Sequence, residues 1–129
     1  MDIIDTVREQ LVNYPGVRYE IVGRTIQVSA VSVDGFVVSL SQASSGCTVN
    51  FEGWHEEFES ATEAMNCFLF GLSEKCRLKV VKRGVDHKWV VQEQKDGQWR
   101  DFSAVGLLLF PFWCRPRERY LQNHFTRSV

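Results

Sequence analysis

The sequence predicts a single α+β domain over residues 1–129, with a mainly antiparallel sheet of about six strands and two to three helices. Three observations carry that expectation. Apolar residues recur at helical spacing near the start of the chain and again after Ser60. Alternating apolar and polar residues fill most of the remainder. Asp-Gly pairs at 34–35 and 96–97 punctuate two of the alternating stretches as hairpins. The expected element order is α-β-β-β-(β)-α-β-β-β-α.

Asp2 suits the N-cap of a first helix running to about Asn13, with Ile3, Val7 and Leu11 on one stripe. Pro15-Gly16 stops it. Residues 17–24 place Val17, Tyr19 and Ile21 on one face, as a half-buried strand does. Residues 25–33 and 36–42 form a hairpin. A loop of Val33, Asp34 and Gly35 would pair residue 28 with 40 and put every apolar side chain on one face, with Gly35 left-handed. Cys47–Trp54 reads as a further strand with Val49 and Phe51 inward, and Trp54–Glu59 as an acidic connector.

Ser60-Ala61-Thr62-Glu63 has the capping-box form. Ala61, Met65, Phe68 and Leu72 follow at helical spacing, and Cys67, Leu69 and Phe70 widen the apolar surface, so this helix is expected to lie on the sheet. Strands are expected at about 76–83, 87–95 and 98–104. A two-residue Asp96-Gly97 turn pairs Glu93 with Arg100 and sets Trp99 beside Gln94, on a polar face where the indole needs a cover. Pro116 suits the first turn of a last helix over 115–125, docked by Leu121 and Phe125. Arg115, Arg117 and Arg119 would then crowd its N-terminal end, where the helix dipole disfavours cations.

The formal net charge of −1 conceals an asymmetry. Residues 1–64 carry three basic residues against ten acids, a balance of −7, and residues 65–129 carry twelve against six, a balance of +6. A pI of 6.3 argues against a bulk nucleic-acid binder, for which about 9 is expected. The split suggests an internal pairing of the Glu56–Glu63 region with Arg115–Arg119, or, failing that, arginines available to a partner.

The four cysteines, at 47, 67, 76 and 114, form no CxxC pair, and the histidines at 55, 87 and 124 add no metal-ligand spacing. No metal or cofactor is expected, and no disulfide framework. No basic segment followed by an apolar run opens the chain, and its longest apolar stretch is half a membrane span, so a cytoplasmic protein without an integral membrane segment is expected. Ser44-Ser45-Gly46-Cys47 lacks a nucleophile elbow and reads as a polar turn. His55-Glu56-Glu57 lacks the second histidine of a zincin and reads as solvated. No catalytic residue is assigned.

The most unusual stretch is Leu107–Trp113. It reads first as a buried final strand and turn, then as an exposed patch for a protein partner or a homodimer, and third as a membrane-surface contact. The basic set Lys79, Lys82, Arg83 and Lys88 flanks Gly84 and forms an anion site only if it joins the later arginines. By element order the chain is similar to the small α/β chaperones that bind secreted effector proteins, an analogy of architecture without a shared motif that implies an adaptor-like role. Three functions follow. The leading one is a non-enzymatic protein-interaction module binding through Trp99, Phe112, Trp113, Arg115, Arg117 and Arg119. The second is a small-molecule binder or enzyme with a pocket between sheet and helix. The third is a weak binder of anionic nucleic acid or membrane surfaces.

Overall fold

A computed structural model describes residues 2–123 and 125 and holds two helices and nine strands in two antiparallel sheets. The first helix, α1 (Ile3–Leu11), is capped by Asp2, whose Oδ1 accepts from the Ile4 amide at 3.3 Å. Its buried stripe of Ile3, Val7 and Leu11 is the one the spacing predicts, with Ile4 added.

The first sheet is a meander of β1 (Tyr19–Val22), β2 (Thr25–Val28), β3 (Val38–Ala43), β4 (Gly46–Phe51) and β5 (Trp54–Phe58). Its inner face is the alternating set Ile26, Val28, Val38, Leu40, Cys47, Val49 and Phe51, all buried. The helix α2 (Ala61–Leu72) lies against β3, β4 and β5. Its Ser60 cap forms as expected, with Oγ accepting from the Glu63 amide at 3.2 Å. Ala61 is exposed, and the buried stripe is Ala64, Phe68, Gly71 and Leu72.

Several expectations are corrected here. β1 is exposed along its whole length, because it is the outer strand and the helices pack over β3, β4 and β5. The hairpin after it is replaced by a nine-residue connection, 29–37, and Val28 pairs with Val38 rather than residue 40. That shift of two residues preserves the facing of every side chain. Gly35 is not left-handed; it is small because Asn123 Oδ1 would lie 2.6 Å from any added Cβ. The acidic connector is the strand β5, paired from Phe51↔Trp54 to Cys47↔Phe58.

The second sheet has the order β8-β7-β6-β9, from β6 (Cys76–Arg83), β7 (Val85–Lys95), β8 (Gln98–Gly106) and β9 (Arg117–Leu121). Asp96 and Gly97 make the expected two-residue turn, with φ of 54° and 77°. Glu93 pairs with Arg100 and Gln94 with Trp99. Beyond Gln92 a bulge shifts the register, so that Val91 faces Ser103 and Trp89 faces Val105. Phe102 is the extra residue of that bulge, without a cross-strand partner, and is exposed.

The expected last helix is a strand. Residues 117–121 pair along the free edge of β6, from Lys82↔Arg117 to Leu78↔Leu121. Leu121 is buried, and the arginines avoid the positive end of a helix dipole altogether. The end of that expected helix includes His124, which lies outside the described residues.

The sheets meet at Trp54, which is fully buried, stacked on Phe51 at 4.8 Å, and donates from Nε1 to Ser103 Oγ on β8 at 3.0 Å. The chain after β9 closes the other end. Asn123, also fully buried, accepts from the Phe36 amide at 3.0 Å through Oδ1 and donates from Nδ2 to the Gly71 carbonyl at 3.2 Å. Removing that side chain strands two buried backbone groups at once. Asn123→Ala is expected to cost about 2–4 kcal/mol in urea unfolding, with an unchanged slope against denaturant.

Candidate functional site

The ten residues between β8 and β9 have a topological task. They must carry the chain from one outer edge of the second sheet to the other, three strand spacings or about 14 Å. The route crosses the tip of the β6–β7 hairpin, which pins it. The Leu107 amide donates to the His87 carbonyl at 2.7 Å. Phe110 packs on the buried His87 ring, with centroids 4.1 Å apart. Pro111 lies over Gly84, whose φ of +72° and lack of Cβ leave it room. Arg83 donates to the Phe112 and Cys114 carbonyls, each at 3.3 Å.

The pinned residues are therefore Phe110 and Pro111, and their neighbours face solvent. Leu108 is 97% exposed, Leu109 90%, Phe112 72% and Trp113 75%. The expected buried strand is overturned: β8 ends at Gly106, and no further strand position is available in the crossing. Phe112 and Trp113 meet edge to face at 5.3 Å. Beside them Lys82, Gly84, Cys114, Arg115 and Arg117 line a cleft of about 270 Å³. This apolar knuckle has a basic flank.

Four of the six expected binding residues gather here: Phe112, Trp113, Arg115 and Arg117. Arg119 does not join them as a free cation. Its guanidinium grips Asp86 with two hydrogen bonds of 2.8 and 2.9 Å, which hold the Asp86 carboxyl below its usual range and raise the arginine. Trp99 stands apart on the face of the second sheet. Its cover is Arg77, sandwiched 4.4 Å from the Trp99 ring and 4.2 Å from Tyr120. Arg77 also donates to Gln92 at 2.6 Å. Among the described residues, no ion pair joins the Glu56–Glu63 region to Arg115–Arg119, so the suggested internal pairing is not made. Comparison with protein-family models, curated proteins and solved structures finds no match.

A second concavity lies at the opposite end of the same sheet. Between α2, β5 and the β7–β8 hairpin is a groove of about 530 Å³, within the range of small-molecule sites. Phe58, Cys67, Phe70 and Phe102 form its apolar floor, and Glu56, Glu63 and Glu93 its acidic rim, with Lys75 the one lining cation. The sequence leads one to expect a pocket between sheet and helix but assigns it no lining residues; here the Phe102 ring stands 6.0 Å from Phe70 across it. Cys67 is the nucleophile-bearing residue in this lining, and burial, reinforced by Glu56, pushes its thiol up to about 12. Cys76 is raised as well, first by burial. A thiol so shifted carries almost no thiolate near neutrality. Among the described residues no group of three His, Cys, Asp or Glu side chains could hold a metal ion.

Native protein treated with iodoacetamide at pH 8 is expected to leave Cys67 and Cys76 unmodified, and denaturant to release all four cysteines. Rapid native labelling of Cys67, read by peptide mass spectrometry, would contradict this and make the groove thiol a nucleophile.

Proposed function

We propose that this chain is a protein-interaction module whose contact surface is the knuckle of Leu108, Leu109, Phe112 and Trp113 with its flank of Lys82, Arg115 and Arg117. The single observation that carries the reading is the pinning. Pro111 on Gly84 and Arg83 on two carbonyls hold the loop against the hairpin tip while four large apolar side chains point into solvent. A loop free to collapse would bury them; a preorganised one presents them at low ordering cost on binding. Aromatic and arginine side chains are also the types enriched where proteins meet. Phe112 and Trp113 touch edge to face and Leu108 and Leu109 lie in the same ten-residue loop, a clustering of exposed apolar side chains of the kind that marks an interaction site. No helix among the described residues is long and apolar enough to cross a membrane.

The test places a photoreactive benzophenone side chain at Leu109 and, as a control, at Val33, which is 92% exposed on a different loop. Irradiation in cells expressing the protein is expected to give discrete protein adducts at 109 several-fold above those at 33. Equal, diffuse labelling at both positions would remove the knuckle as an interface, and adducts to nucleic acid or lipid alone would transfer it to another class.

A further inference from the structure

The knuckle and the groove are complementary in the same chain. One is a convex apolar loop flanked by Lys82, Arg115 and Arg117; the other is a concave apolar floor rimmed by Glu56, Glu63 and Glu93. Arg100 stands opposite Glu93 across the hairpin, and Lys75 is at the rim, so the acids without a cross-strand cation are Glu56 and Glu63. On the basic flank Lys82 stands cross-strand from Asp86, which Arg119 grips, and Glu118 is paired with Lys79 at 3.6 Å, so the flank cations without a cross-strand acid are Arg115 and Arg117. The charge asymmetry of the sequence is thus displayed as two separate surfaces of opposite sign. Each carries aromatic side chains.

The two surfaces do not meet within one molecule. The knuckle is fixed at the Arg83–Val85 end of the second sheet, and Glu93 lies eight residues further along β7, about 25 Å away. Contact within the chain would require the Arg83 and Pro111 anchors to be abandoned. Contact between chains requires nothing to move.

We infer that the knuckle of one molecule docks in the groove of a second copy, Phe112 and Trp113 entering the floor of Phe58, Phe70 and Phe102 while Arg115 and Arg117 face Glu56 and Glu63. This inference rests on the knuckle being an interaction surface and names its occupant. Each molecule uses two different patches, so the contact is heterologous and runs head to tail. A groove of this size limits the buried area to the range of weak, reversible interfaces, and the charged component makes it sensitive to salt.

The experiment uses two surface variants of the full chain. Glu56→Lys with Glu63→Lys disables the groove and keeps the knuckle. Phe112→Ser with Trp113→Ser disables the knuckle and keeps the groove. All four positions are exposed, and unchanged thermal unfolding of each variant serves as the folding control. In sedimentation velocity the wild type is expected to grow in mass with concentration, and less so as salt is raised. Each variant alone is expected to weaken self-association by about tenfold or more. The two mixed are expected to form a dimer that stops there, because one intact knuckle meets one intact groove. A groove variant that self-associates like the wild type, or a mixture that stays monomeric, overturns the proposal. So does a wild type that is monomeric at every concentration; adducts from position 109 to a different protein would then keep the knuckle as an interface while removing the second copy as its partner.

Discussion

Two sheets share one core in this protein, and the contact that joins them is the burial of Trp54. Its ring stacks on Phe51 of the first sheet while its Nε1 reaches Ser103 of the second. Removing an indole from water is worth about 4–6 kcal/mol before ordering costs, against a typical net stability of about 5–15 kcal/mol. The neighbouring Gly53 shows how close the approach is: any Cβ there would collide with the Trp89 ring of β7. With Trp54 in place, β5 lies near β7 and β8, and the groove is the space that remains beside that junction where α2 no longer fills it.

The knuckle follows from the same architecture by a different route. The second sheet takes its last strand on the far edge from β8, so the chain must travel over one end of the sheet. A segment obliged to cross in solvent would ordinarily be polar. This one is apolar and is fastened by Leu107 and Phe110 on His87, by Arg83, and by the Pro111–Gly84 contact. The far end of β9 is fastened too, through the Gln122 amide to the Asp34 carbonyl, Asn123 to Phe36 and Gly71, and the Phe125 amide to the Leu72 carbonyl. Closing both ends of β9 fixes where the crossing loop must end, and its outward side chains have no core to enter.

Much of the framework could be read from residue order. Both helices, the Ser60 cap, the strand beginning at Cys76 and the Asp96-Gly97 turn all depend on contacts within a few residues, and those contacts are visible in sequence. The misreadings share one cause, which is dependence on a distant partner. Residues 115–121 satisfy a helix pattern locally, and only the open edge of β6 makes them a strand. The Leu107–Trp113 run has strand composition, yet its place in the crossing leaves it no edge to pair with. Asn123 looks like an ordinary polar residue near the end of the chain; its value lies in bonds to partners 87 and 52 positions away. Of the site, the residue types at the knuckle were legible and its exposure was not. The groove was expected only as an unspecified gap between sheet and helix, because its lining comes from α2, β5 and the β7–β8 hairpin, which lie apart in the sequence.

The central claim is that the hairpin tip holds the crossing loop with Trp113 facing water while Trp54 is sealed in the core. Acrylamide quenching of wild type and Trp113→Phe, compared in dilute solution, tests it directly. The substitution is expected to remove the most red-shifted and most readily quenched part of the emission and to leave a blue-shifted, shielded remainder. Loss of a blue-shifted, shielded component instead would mean that Trp113 is buried, and would contradict the account.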